Sequence, residues 1–169
     1  MRRPAHDQKI EALREISGLE QCPRSELAAL ARVCDEHSVA RGEQLSTEGR
    51  PGREAWIIVQ GAADLRRRDT LLLEAGPGDL IGDIGALGFV PAATTIVATT
   101  PMKVLALAPL AADTLFSHPA LARWTFARLD ARLRTILGVG DEYEPARSER
   151  DHAAMTPSRT SLRPAAFSQ

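Results

Sequence analysis

The apolar positions change their period twice along this chain. In residues 8–17, Ile10, Leu13 and Ile16 recur about one helical turn apart, and Gly18 follows. This spacing predicts a short amphipathic helix that stops at the glycine. Pro23 is placed to open a second helix, whose apolar face is Leu27, Leu30, Ala31, Val33 and Cys34. From His37 to about Leu107 the texture is different. Short apolar runs, Ala55–Val59, Leu71–Leu73, Thr95–Ala98 and Val104–Leu107, alternate with clusters of Gly, Pro and Asp. Nine of the 12 glycines fall between Gly42 and Gly88, so the predicted element here is the short strand ending in a tight turn, repeated as in a β-sandwich or barrel. Arg66-Arg67-Arg68-Asp69 reads as a solvated hairpin tip.

Past Pro109 the helical period returns. Leu110–Phe116 makes one short helix, and Pro119 opens a longer one. Leu121, Trp124, Phe126, Leu129, Leu133, Ile136 and Leu137 give that helix a broad apolar stripe, ended by Gly138 and Gly140. Residues 139–169 hold three prolines among charges and hydroxyls with no periodic face, and are expected to be a disordered tail. The predicted order is helix, β-roll, helix, helix: mainly β with flanking α-helices.

Composition narrows the chemistry. With 21 basic against 22 acidic residues, no overall field favours DNA or an acidic membrane. Two cysteines, Cys22 and Cys34, cannot form a four-thiolate metal site, and Cys34 is expected to be a buried free thiol. The four histidines are scattered without paired-ligand spacing, and no Ser/His/Asp arrangement or P-loop occurs, so no enzyme is expected. No apolar run of about 18 residues exists. The N-terminus lacks the apolar core of a signal peptide, and a cytoplasmic protein is expected.

The segment Gly78-Asp79-Leu80-Ile81-Gly82-Asp83-Ile84-Gly85-Ala86-Leu87, running on to Pro91-Ala92-Ala93-Thr94, has the build of an anion cradle. A glycine-rich strand end followed by a helical turn aims backbone N–H groups at whatever sits above it. In order along the chain come Gly18-Leu19, Gly42-Glu43, Glu48-Gly49-Arg50-Pro51-Gly52, Trp56-Ile57-Ile58-Val59-Gln60-Gly61 and Pro77-Gly78-Asp79-Leu80-Ile81-Gly82. With the two-helix C-terminus, they resemble the cyclic nucleotide-binding domain family, the sensor module of catabolite activator-type regulators, over residues 8–138.

The resemblance implies a β-roll carrying a phosphate-binding cassette and a long C-terminal helix. It implies cAMP or cGMP as ligand and no other cofactor. Gly82, Asp83, Ile84, Gly85, Ala86 and Leu87 would form the cassette, with Asp83 standing where the family usually has a glutamate for the ribose hydroxyl. Ala92, Ala93 and Thr94 would follow it. The family's phosphate-binding arginine falls on Ala92, which carries neither charge nor donor. Removing such a contact costs about 2–5 kcal/mol, so micromolar affinity would fall to roughly millimolar or worse. Arg41, Arg50, Arg53 and Arg66 to Arg68 are the cations available in exchange, and the sequence points none of them inward.

Two functions therefore stay open. One is a sensor of a cyclic nucleotide or another small anion. The other is an interaction module that keeps only the fold, pairing with its own copy or a partner protein through Trp124, Phe126, Leu129, Leu133 and Ile136. No recognition helix follows the long helix, so direct DNA binding is not expected.

Overall fold

The computed structural model describes residues 5–52, 54–82, 91–108 and 111–137. The chain divides into two units, Met1–Val139 and Gly140–Gln169, and the expected tail lies outside the described residues. Two helices come first, α1 (Ala5–Arg14) and α2 (Arg24–Val33). Among the described residues eight strands follow: β1 (Cys34–Val39), β2 (Gln44–Ser46), β3 (Ala55–Gln60), β4 (Ala63–Arg67), β5 (Thr70–Ala75), β6 (Leu80–Gly82), β7 (Thr95–Ala98) and β8 (Met102–Leu107). Helices α3 (Ala111–Ser117) and α4 (Pro119–Leu137) end the described chain. This is the expected β-roll with flanking helices.

The strands form two antiparallel four-stranded sheets, in the orders β1-β8-β3-β6 and β2-β7-β4-β5. The four apolar runs read from the sequence lie within β3, β5, β7 and β8. Strand β1 was not foreseen. Its inner positions, 35–38, are all exposed, so only Cys34 and Val39 advertise it, and the helical period of α2 runs up to Cys34. At the β4–β5 hairpin Arg68 (φ 47°) and Asp69 (φ 64°) both adopt left-handed conformations, the backbone of a tight two-residue turn.

Strand β3 explains how the parts fit. Its residues Ala55 to Ile58 are all buried, because it is covered on both faces. Ala55 and Ile57 join Leu105 and Leu107 of β8 in a core shared with α1, α2, α3 and α4. Trp56 and Ile58 join Val104, Ala106 and the second sheet's Leu65, Ala63, Ile96 and Ala98 in the interior of the roll. The register agrees, pairing Ile57 with Leu105 and Trp56 with Ala106. The period-two direction of strand side chains thus serves two cores with one strand.

Helix α4 is seated by named contacts. The Glu26 carboxylate of α2 accepts from the backbone N–H groups of Ala120 (2.9 Å) and Leu121 (3.3 Å), which have no partner inside their own helix. Trp124 Nε1 donates to the Ser17 carbonyl at 3.2 Å, and Arg128 Nη2 to the same oxygen at 2.6 Å. One turn later Arg132 Nη1 donates to the Gly82 carbonyl at 3.2 Å. Residues 124, 128 and 132 share a face by the i, i+4 rule. No described helix is long and apolar enough to cross a membrane.

Candidate functional site

The site is built around the end of β6. Asp79 closes the preceding turn: its carboxylate accepts from Gly76 N–H (2.8 Å), and its own N–H donates back to Gly76 O (3.0 Å). Ile58 N–H donates to Asp79 O (3.0 Å) and Gly78 N–H to Ile58 O (2.8 Å), which aligns β6 beside β3. Gly82 ends the strand at φ 90°. A Cβ there would lie 2.8 Å from Glu54 O, 2.9 Å from Ala55 Cα and 2.9 Å from the Trp56 ring. Only glycine meets both the conformation and the close approach.

Asp83, Ile84, Gly85, Ala86 and Leu87 lie outside the described residues. The chain returns at Pro91, which pairs with Pro51 in an antiparallel bridge. Next to that bridge, Ala92 N–H donates to Arg50 O at 2.7 Å and Gly49 N–H donates to Ala92 O at 2.8 Å. Ser46 Oγ then donates to Thr94 O at 3.2 Å, and Glu48 N–H to Thr95 Oγ1 at 3.0 Å. Burial alternates inward at residues 92, 94, 96 and 98, so Ala92 and Thr94 continue the interior-facing row of β7, while Ala93 is exposed.

The side chain at position 92 is 4% exposed and is a methyl group. The Thr94 hydroxyl, also 4% exposed, has no hydrogen-bond partner. Leaving such a group unpaired costs about 1–3 kcal/mol. The other unpartnered buried hydroxyl among the described residues is that of Thr125, and neither threonine lines the cavities described next.

Two cavities flank Gly82. One, of about 160 Å³, has an apolar wall of Leu65, Leu73, Ala75, Leu80 and Ile81 from the roll. Its opposite wall is α4, through Arg128, Ala131, Arg132 and Thr135, and the carboxylates of Glu74 and Asp79 lie at its edge. The other, of about 360 Å³, opens between β2 and β3 and is lined by Leu45, Ser46, Thr47, Arg50, Glu54 and Trp56, among others. Arg132 in the first cavity bonds to the Gly82 carbonyl, and the Trp56 ring of the second packs against Gly82 itself.

The sequence reading missed the α4 contribution of Arg128 and Arg132, because it followed only the apolar positions. The i, i+4 series Trp124, Arg128, Arg132 was the signal. Trp124, counted there in a dimer seam, is 4% exposed and packs in the chain's own helical core. Phe126 and Leu133 are 60% and 55% exposed, and Leu129 is half-buried. The Ile136 side chain lies outside the described residues. Burial raises the thiols of Cys22 and Cys34 to about 11, which keeps both protonated and inert near neutral pH. No described cluster has the make-up of a metal site.

Residues 36–118 match the family model described as cyclic nucleotide-binding domain. Over 97 residues the chain is 30% identical to a cAMP-dependent protein kinase regulatory subunit of Colletotrichum orbiculare, matching 56% of this chain and 25% of that protein. The chain thus spans about a quarter of the length of the curated relatives it matches. Among solved structures, a cAMP-bound PfPKA-R superposes with a TM-score of 0.68 at 19% identity, covering 80% of this chain and 48% of that one. The regulatory subunit of a cAMP-independent protein kinase A from Trypanosoma brucei gives 0.67 at 20% identity, covering 79% and 49%. Likeness at these identities shows the fold, and that fold is common to a cAMP-bound and a cAMP-independent protein. The ligand is therefore a question for the site.

Proposed function

We propose that this chain, whose residues 36–118 match the cyclic nucleotide-binding domain family, is a ligand-sensing regulatory module acting through residues 8–138. The observation that carries the reading is the 160 Å³ cavity walled by the roll on one side and by α4 on the other. An occupant there touches both elements at once, so its affinity depends on where α4 sits. That differential affinity is what couples binding to a change of state. Arg132 links the same two elements through the Gly82 carbonyl and reads the position of the β6 end. In this reading the cassette is degenerate: the arginine position is a buried methyl group at Ala92, and the module has no catalytic role. The ligand class is a cyclic nucleotide, cAMP or cGMP, or a small anion of similar chemistry.

Calorimetric titration with cAMP and cGMP, on the unaltered chain and on Ala92→Arg, tests it. Micromolar binding by the unaltered chain is the expected result. Binding confined to Ala92→Arg would mean a disarmed pocket and would transfer the function to the second reading.

That second reading is an interaction module, a homodimer or heterologous complex through α4. It is supported by the exposed Phe126 and Leu133, and by Phe116, whose ring centroid lies 5.6 Å from that of Phe126.

A further inference from the structure

We infer that Arg50, in the connection between β2 and β3, supplies the cationic contact that Ala92 lacks, holding the anionic oxygens of a ligand at the mouth of the roll. The inference rests on the sensor reading above and extends it from the 160 Å³ cavity against α4 to the 360 Å³ cavity on the other side of Gly82, where Arg50 is the group that replaces the arginine.

Backbone geometry comes first. Ala92 and Arg50 are pinned together, with Ala92 N–H donating to Arg50 O at 2.7 Å and the neighbouring Gly49 N–H returning a bond to Ala92 O at 2.8 Å. The Pro51–Pro91 bridge prolongs the pairing by one residue. A cation missing at position 92 is thus available from the residue hydrogen-bonded to it across the ladder. Its side chain points to use rather than to structure. Arg50 lines the 360 Å³ cavity, and among the described residues its guanidinium has no carboxylate or carbonyl partner. Other arginines with an attractive location are engaged: Arg66 with Asp64 at 2.7 Å, Arg128 with Ser17 O, Arg132 with Gly82 O.

Thr94 stands on the same row as Ala92 and does not itself line the Arg50 cavity. Its hydroxyl is buried at 4% exposure, has no partner, and belongs to the inward row that includes Ala92. Its carbonyl is bonded to Ser46, which lines the same cavity as Arg50. Its unpaired O–H is thus a spare donor on the interior row, and the cationic contact itself rests with Arg50. Trp56, 8% exposed, lends the cavity a flat apolar surface suited to a ring, and Glu54 adds one carboxylate that opposes a negative guest. The chemistry recognised is therefore an anionic phosphate-type group, with or without an attached planar ring. A cyclic phosphodiester of a nucleoside and free phosphate share that chemistry.

The experiment compares the full chain with Arg50→Gln, Arg50→Lys and the double variant Arg50→Gln/Ala92→Arg. Each is titrated with cAMP, cGMP and inorganic phosphate, by calorimetry and by tryptophan fluorescence in a Trp124→Phe background that isolates Trp56. We expect the unaltered chain to bind a cyclic nucleotide more tightly than phosphate. Arg50→Gln should weaken that binding tenfold or more, Arg50→Lys should retain part of it, and Ala92→Arg should restore it. Phosphate binding equal to that of the cyclic nucleotides, and equally sensitive to Arg50, would keep the cation's role and assign a free anion as ligand. Cyclic nucleotide binding that ignores Arg50→Gln overturns this inference while leaving the sensor reading intact. Failure of the unaltered chain to bind any of the three probes overturns both. Because Arg50 is exposed, the unliganded melting temperature of Arg50→Gln should match that of the parent, which separates lost binding from lost folding.

Discussion

The two halves of α4 are built on different principles. From Pro119 to Arg128 the helix is part of the core: Leu121 is 0% exposed, Trp124 4% and Thr125 1%, and the Glu26 carboxylate holds its first N–H groups. From Leu129 to Leu137 no described side chain is fully buried, and Arg132 bonds the Gly82 carbonyl of the β-roll. Apolar burial is worth about 25 cal/mol per Å² and has no direction, whereas one hydrogen bond contributes about 1 kcal/mol and depends on geometry. The first half is thereby fixed to the fold and the second is attached to it. A helix made this way can keep its root while its far end responds to what lies beneath.

Three substitutions probe that contrast, in falling order of effect. Leu121→Ala removes a fully buried side chain from the rooted half and should cost about 2–5 kcal/mol in urea unfolding. A loss under 1 kcal/mol would mean that the root is not where the helix is held. Glu26→Ala leaves the two N–H groups of Ala120 and Leu121 uncapped and should cost about 1 kcal/mol by the same measurement. If stability is unchanged while the chain remains folded, the cap is replaced by solvent and the seating of α4 is wholly apolar. Leu133→Glu, on the attached half at 55% exposure, should change monomer stability by less than about 0.5 kcal/mol. Light scattering on the same variant separates the two functional readings: an unchanged mass favours the sensor, and conversion of a dimer to a monomer favours the interaction module.

The fold was readable because its signals are local. Gly18, Pro23 and Pro119 punctuate helices through backbone restrictions that tertiary structure seldom overrides, and the glycine-bounded apolar runs are strands wherever they pack. Strand β1 escaped because pairing with β8, a contact far along the chain, makes a strand of Asp35 to Ser38 despite their polarity. The candidate site was half legible for a similar reason. Gly82, Ala92 and Thr94 stand in one stretch and could be named together. Arg50 reaches that stretch through a ladder about forty residues away in sequence, and Arg132 through the packing of a helix. Period and motif do not encode such distances. That the Thr94 hydroxyl is unpaired could be learned only from its surroundings.

Strand β3 carries a consequence of its own. Adjacent residues send an indole and an isoleucine into different compartments, Trp56 into the roll and Ile57 against the helices. A slip of the strand by one residue would exchange them, placing a ring where Leu105 expects a branched aliphatic neighbour and vacating the space beside Gly82. Ordinary sheets with one wet face tolerate an error on that face. This partition has no tolerant side, so insertions and deletions in this lineage should gather in the turns around it and never within Ala55 to Ile58.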